Sequence, residues 1–487
     1  MAIKRYDATQ DNTITNAFKA DLRTKATGSN MGASDILETF VIHGQTSASI
    51  GAQNAEEARI LIQFDVDKIS TDRSAGTIPA SGSVNFYLKM FNADHADTTP
   101  ENLISRSWDE GRGLDMENYT DVGKCNWKNA TNAVAWTTTG SDYHSIQATD
   151  NFSGSVLFTK GNEDLEIEVT PAIEDWLGGA KDNYGFLIKQ TQAAITGSSG
   201  SLFTKMFHGR STEFVMQKPV IEARWNDSRK DHRGSFILSS SVLSGPNNLN
   251  TLYLYNKFRG QLTDIVGLAH DRLSVAFYTA SSNEIPVGIR TIVTDATGAA
   301  VTAVEAGKLV ENGKQITGVY TASFATTSSF SELYDVWHTG STEFFSGSFT
   351  PSSFKLKLED RTEPFMSKIT NLNSTYSTKD KPVFRVFVRP KRWQPTIYSV
   401  ASVAVENTIV EDAYYKVFRI EDNLEVISYG TGTLQYTKMS YDVSGNYFEL
   451  NMEPFEAGFS YGIQFAYLLQ GDYIEQPEIF KFRVEEP

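Results

Sequence analysis

The chain has 487 residues, too many for one ordinary domain, and its 40% hydrophobic and 21% charged residues are typical of a soluble protein. The net charge of −15 argues against a general nucleic-acid binder, which needs a basic surface. We expect no membrane span and no secretion signal, because no apolar run reaches about 18 residues and the amino terminus is polar. The single cysteine, Cys125, excludes an intrachain disulfide framework and predicts a small buried side chain.

Short runs of alternating apolar and polar residues follow the amino terminus and are typical of β-strands. They include Ala58–Val66, Ser83–Phe91, Ser155–Lys160 and Glu213–Trp225. Long helical periodicity is absent, so these strands, at their close spacing, predict β-sandwiches.

A strand, a short helix and a second strand are predicted within Leu165–Gln190. Thr170 is a candidate helix cap, and Pro171 suits the first helical position. The helix is expected to end at Gly178 and Gly179. Its apolar face, which is expected to be buried, consists of Ile173, Trp176 and Leu177. Trp176 is therefore expected in the core.

The polar stretch Asn226–Gly234 is the clearest domain boundary. The chain accordingly divides into residues 1–225, 226–360 and 361–487. The last two parts again show alternating strands, among them Thr251–Leu262 and Ala413–Asp422. The seven or so strands of the final part predict an immunoglobulin- or fibronectin-like sandwich.

Four segments of the first part occur in the order of a known module. They read DNTITNAF, ARILIQFDVDKI, SWDEG with AWTTTGSDY, and VTPAIEDWLGGAKDNYGFLIK. Together they resemble the DNRLRE family, a jelly-roll sandwich related to carbohydrate-binding modules. The resemblance implies a jelly roll over residues 1–225, and it completes an all-β prediction of tandem sandwiches.

The whole chain also resembles virion structural proteins of tailed bacteriophages. The segments that carry this likeness are MAIKRYDATQDNTITNAF, NLNTLYLYNKFRGQL, QPTIYSV, YYKVFRI, YGTGTLQYT, SYDVSGNYFELNM and EQPEIFKFRVEE. The likeness implies a multi-copy particle component made in the host cytoplasm. Its expected partners are further copies and other virion proteins, such as connector, neck or tail components.

Catalytic signatures are missing from the sequence. The seven histidines form no HExxH motif or close ligand pair, and no phosphate-binding loop occurs. We therefore expect no enzyme activity and no cofactor. Glycoside hydrolysis needs two suitably spaced carboxylates, a distance that the sequence does not show.

One acidic loop offers a candidate calcium site at Asp109, Glu110 and Asp115. Carboxylate oxygens are the ligands that calcium prefers, but the loop lacks the spacing of an EF-hand. The alternative is a solvated loop.

Two tryptophans are candidate ligand-binding residues. Sandwich modules bind glycans by stacking exposed aromatic faces on sugar rings. Trp108 follows a serine and precedes an aspartate, and Trp127 lies in the polar run CNWKNATN, which makes Trp127 the stronger surface candidate. The alternative for both is burial in a core or interface.

The basic run Arg385–Trp393 contains the candidate partner contacts Arg389, Lys391, Arg392 and Trp393. A basic cluster suits an acidic partner chain. Alternatively, it is an edge strand whose charges and Pro390 discourage unwanted pairing.

The sequence predicts a structural component of a virion, with a neck, collar or tail position preferred. The alternative is a carbohydrate-binding adsorption or capsid-decoration protein that uses the first sandwich to bind a host surface glycan. A polysaccharide-degrading enzyme is a third hypothesis.

Overall fold

The computed structural model describes residues 2–43, 55–93, 99–104, 106–114, 124–132, 134–144, 154–159, 161–196, 202–238, 248–268, 272–281, 286–328, 330–351, 365–391, 393–394, 407–469 and 471–487. The chain divides into two compact units, Ile3–Trp225 and Asn226–Pro487. No helix in the described ranges is long and apolar enough to cross a membrane.

The first unit contains thirteen described strands and three α-helices. The strands are β1 (Ala2–Thr15), β2 (Ile36–His43), β3 (Ala55–Phe64), β4 (Asn85–Met90), β5 (Thr99–Ile104), β6 (Asn129–Thr131), β7 (Val134–Ala135), β8 (Tyr143–His144), β9 (Gly154–Val156), β10 (Leu165–Glu168), β11 (Phe186–Ile188), β12 (Leu202–His208) and β13 (Val220–Trp225). The helices are α1 (Val66–Ser74), α2 (Thr170–Leu177) and α3 (Gln192–Thr196).

Eleven of these strands form one hydrogen-bonded sheet system. Its main order is β10-β4-β13-β1-β3-β11-β5-β8, with β2 joining β3 to β12, and β9 pairing with β5. Strand β3 is buried on both faces: Ile60, Leu61 and Ile62 are all inaccessible. The sequence of β3 therefore contains consecutive apolar residues, as expected of a central strand.

Helix α2 confirms the short helix predicted within Leu165–Gln190. Ile173 and Trp176 are buried, and the Trp176 ring lies 4.9 Å from that of Phe186 in β11. Thr170 does not cap the helix; its hydroxyl accepts a hydrogen bond from the Phe86 amide at 2.8 Å instead. Of the two glycines that follow the helix, Gly179 takes the left-handed conformation, with φ of +69°, and Gly178 does not.

Helix α1 was not expected, because the strand prediction ran on to Val66. The Asp65 carboxylate accepts the Asp67 amide at 3.0 Å and starts the helix there. Its one buried side chain is Ile69, so the segment shows almost no helical apolar pattern.

The first part of the second unit contains eleven described strands. They are β14 (Asn250–Tyr255), β15 (Lys257–Phe258), β16 (Gln261–Leu262), β17 (Arg272–Ser281), β18 (Pro286–Arg290), β19 (Val293–Asp295), β20 (Ala300–Val301), β21 (Ala303–Glu311), β22 (Lys314–Ala325), β23 (Leu333–Thr339) and β24 (Thr342–Phe349). Nine of them form a sheet of order β20-β19-β22-β21-β17-β23-β24, with β14 on β22 and β18 on β17. An aromatic core fills this part; the rings of Phe277 and Phe324 are 4.0 Å apart, and Phe236 lies 4.8 Å from Phe349.

The rest of the second unit contains nine described strands. They are β25 (Phe365–Ile369), β26 (Thr375–Ser377), β27 (Val383–Pro390), β28 (Ala413–Arg419), β29 (Glu425–Ile427), β30 (Ser440–Asp442), β31 (Gly445–Glu449), β32 (Ser460–Leu469) and β33 (Asp472–Glu485). They form two sheets, β25-β27-β31-β30 and β26-β33-β32-β28-β29. Tyr415 of one sheet stacks on Phe448 of the other at 4.1 Å, and Ser367 Oγ lies 2.7 Å from the Tyr467 hydroxyl.

These antiparallel sheets confirm the predicted all-β class with tandem β-sandwiches. A single parallel pair, β26 with β33, is found among the described strands. Alternation of apolar and polar residues was enough for this prediction, because one face of each such strand packs against a core.

Candidate functional site

Both tryptophans proposed as sugar platforms are buried. Trp108 is 4% exposed and Trp127 is 6% exposed, in a cluster with Ile14 and Leu61. The Trp108 indole N–H donates to the Tyr184 carbonyl at 3.0 Å. A stacking platform needs an exposed ring face, so the ligand-binding interpretation of these residues is wrong and the core interpretation holds.

Packing explains why the polar run around Trp127 does not expose its ring. The Arg59 guanidinium covers this ring at 4.8 Å, and Gly140 approaches so closely that an added Cβ would meet ring atoms at 2.8 Å. Cys125 belongs to the same cluster, and burial raises the pKa of its thiol. The predicted small buried cysteine is therefore confirmed.

In the candidate calcium loop, the Glu110 carboxylate is hydrogen-bonded to other groups of the protein. Glu110 accepts a hydrogen bond from Arg210 Nη2 at 2.6 Å and from the Asp11 amide at 2.8 Å. The guanidinium occupies the place that a cation would take, which contradicts Glu110 as a calcium ligand. The backbone of Asp109 donates a hydrogen bond to the Ala130 carbonyl and accepts one from the Cys125 amide. Asp115 lies outside the described residues.

No group of three or more His, Cys, Asp or Glu side chains is placed to hold a metal ion in the described part of the chain.

Asp11 is the most perturbed acid beside this loop. Its side chain is inaccessible, and Oδ2 accepts the Arg210 amide while Oδ1 has no hydrogen-bond partner and lies 3.9 Å from Arg210 Nε. Burial raises its pKa to about 7, with Glu110 adding a smaller increase and Arg210 opposing it. The sequence gives no signal for this, because Asp11 lies in a polar stretch of β1.

The basic run begins inside a sheet and continues where only one side of its strand is paired. Strand β27 pairs with β31 through Val383–Val386 and with β25 through Val386–Pro390, so β27 is not an edge strand at Arg385, whereas Arg389 and Pro390 pair with β25 alone among the described strands. The Arg389 guanidinium lies 5.3 Å from the Trp393 ring centre, and Lys391 is exposed. Arg392 lies outside the described residues, and contact of this cluster with a partner stays a prediction.

A cleft that sequence reasoning missed lies within the second unit. It encloses about 480 Å³, and we call it the tyrosine cleft after Tyr255 and Tyr447, whose hydroxyl oxygens are 3.2 Å apart. One wall is the exposed hairpin of β15 and β16; the other is the sheet that contains β27 and β31. The sequence did contain one signal, since the alternation NTLYLY places Tyr253 and Tyr255 opposite the buried Leu252 and Leu254.

Ion pairs hold the two arginines of the tyrosine cleft in position. Arg385 Nη1 donates to Asp442 at 2.5 Å, and its guanidinium lies 4.5 Å from the Tyr447 ring centre. Arg229 Nη2 donates to Glu311 at 2.6 Å. Burial lowers the pKa of the Arg229 guanidinium, but its hydrogen bond and ion pair with Glu311 outweigh burial, so the pKa is raised above its ordinary value. Burial raises the pKa of Tyr255, so its hydroxyl remains protonated and shares a hydrogen bond with the Tyr447 hydroxyl.

Comparison with known proteins adds little to this geometry. No protein-family model matches the chain, and no curated protein matches it. A solved marsupial T cell receptor is similar over 52% of this chain and 71% of the receptor, at 8% identity and a TM-score of 0.15. A score this low supports no statement about the fold or the function of the chain.

Proposed function

We propose that the protein is a non-enzymatic structural component of a tailed-phage virion, assembled in several copies through its β-sandwiches. The observation that supports assembly most directly is the edge strand β24. Among the described residues it pairs only with β23, and its outer half, from Thr342 to Phe345, is exposed. It contains no lysine or proline, and Glu343 is the one charged side chain in this outer half, so the edge carries little of the protection that monomeric proteins usually place there.

Exposed apolar side chains on this strand strengthen the assignment. Phe344 is 36% exposed and Phe345 is 38% exposed. Among the described residues, the outer half Thr342–Phe345 pairs only with β23, and its aromatic rings add apolar area, so another chain can extend the sheet here. Symmetric copies would bury on the order of 1,000 Å² or more at each interface.

The phage assignment rests on the full-length sequence likeness, and a neck, collar or tail position is the placement we propose. Mass spectrometry of washed virions is expected to detect the chain in several copies. Its absence from washed particles would refute the virion assignment, whatever the purified protein does in solution.

Assembly itself is tested with the purified full-length chain. We expect concentration-dependent oligomers in light scattering coupled to size exclusion, and we expect Phe344→Lys to weaken self-association at least tenfold. Val310→Lys is the matched control, because Val310 is 57% exposed on a different strand of the same unit. A wild-type protein that stays monomeric at high concentration, or two variants that behave alike, would contradict assembly through β24.

The glycan-binding alternative loses its original support, since it relied on exposed rings of Trp108 and Trp127. Both rings belong to the core of the first unit.

A further inference from the structure

The tyrosine cleft has the size and the mixed chemistry of a small-molecule site. Its volume of about 480 Å³ lies within the range of roughly 300–1,000 Å³ that is common for such sites. Neither assembly through β24 nor the packing of the sandwiches requires this space.

Charge in and around the cleft is close to balanced. Four cations line it: Arg229, Lys257, Arg385 and Lys438. Three of them have carboxylate partners, Arg229 with Glu311, Arg385 with Asp442 and Lys438 with Asp412. Asp227 and Glu449 add two further acids to the lining. A strongly anionic or cationic ligand would therefore gain little from the surrounding field, and a neutral polar ligand fits better.

Hydrogen-bonding groups of both kinds face the cleft without an intramolecular hydrogen bond. Among the described residues, the Lys257 ammonium, the Gln261 amide and the Glu449 carboxylate have no such partner. All three are exposed lining groups. The first donates, the second both donates and accepts, and the third accepts. A ligand that carries several hydroxyl groups can satisfy all three.

Apolar surface lies beside these polar groups. Leu262 is 38% exposed and Val383 is 42% exposed, and the half-buried Tyr255 ring stands nearby in the lining. Hydroxyl groups on the edges of a ring and C–H groups on its faces are the combination that a sugar presents. We propose that the tyrosine cleft binds a neutral saccharide, with Gln261 and Glu449 bonding its hydroxyls and Leu262 and Tyr255 contacting its C–H face.

The test is saturation-transfer difference NMR on the full-length protein. The neutral probes are glucose, galactose, mannose, N-acetylglucosamine, maltose and lactose, and the charged probes are glucuronate and glucosamine. We expect at least one neutral sugar to bind, and neither charged probe to bind more tightly than its neutral counterpart.

Two variants assign the binding to the cleft. Gln261→Ala and Glu449→Ala are each expected to weaken sugar binding about tenfold, because each removes one hydrogen-bonding group. Gln315→Ala and Glu421→Ala are the matched controls, since both positions are exposed and lie outside the cleft lining. All four positions are exposed, so none is expected to unfold the protein.

Three results would overturn the proposal. The first is that no neutral sugar of the panel binds, and the second is that binding persists unchanged in both cleft variants. The third is that only glucuronate or glucosamine binds, which would make charge the basis of recognition. Sugar binding by a strictly monomeric protein would leave this proposal intact while refuting assembly.

Discussion

Asp11 makes the stability of the first unit depend on pH. Burial raises its pKa from 3.8 to about 7, so the folded state keeps a proton that the unfolded chain loses near pH 4. The stabilisation is fully present below pH 4 and disappears as the pH rises through about 7. A shift of about 3 units corresponds to about 4 kcal/mol of unfolding free energy.

The substitution Asp11→Asn removes the ionisation and keeps an oxygen that can accept the Arg210 amide. We expect the variant to lose this part of the pH dependence. Its free energy of unfolding relative to wild type should therefore rise by about 4 kcal/mol from pH 4 to pH 8. Urea unfolding at a series of pH values measures the difference. Tryptophan fluorescence suits it, because five of the seven tryptophans lie in the first unit.

Asp35→Asn is the matched control, since Asp35 is an exposed acid of the same unit. Its unfolding free energy is expected to follow wild type across the series. Parallel curves for wild type and Asp11→Asn would refute the reasoning, because they would mean that burial does not keep the proton on Asp11.

Two predictions concern the second unit. Asp335→Asn is expected to cost about 3–5 kcal/mol in thermal unfolding, because Arg233, which donates to both oxygens of the inaccessible Asp335 at 2.6 and 2.7 Å, would lose its counter-charge. An unchanged melting temperature would show that the pair is dispensable. Tyr415→Phe is expected to be neutral or slightly stabilising, since its buried hydroxyl has no hydrogen-bond partner among the described residues. Tyr467→Phe, which breaks the contact with Ser367, is expected to cost about 1 kcal/mol, and equal effects of the two variants would contradict this assignment.

Local pattern predicted helix α2 well but missed helix α1. Helix α2 begins at Thr170, with Pro171 in its first turn; Ile173 and Trp176 share its buried face, and the glycines end it. In α1 only Ile69 is buried, so stability comes from the cap and from contacts with distant parts of the chain, such as the Arg73–Glu174 ion pair. Periodicity cannot report contacts of that kind.

The local sequence pattern also did not predict the surroundings of individual residues that have polar neighbours in the sequence. Trp127 lies in a polar run, yet Arg59, distant in sequence, and Gly140, in the loop after β7, enclose its ring. Glu110 looked like a metal ligand until Arg210, one hundred residues away, proved to be its partner. In each case the deciding group comes from a different part of the chain.

The sequence by itself determined the all-β class, because alternation of apolar and polar residues records which face of each strand meets a core. It also determined the strand–helix–strand segment and the buried Trp176. Only the tertiary structure decided which charges are neutralised, which rings are covered and where the tyrosine cleft opens. The physical reason is that burial and electrostatics depend on the sum of all neighbours in space, and folding brings most of those neighbours from far along the chain.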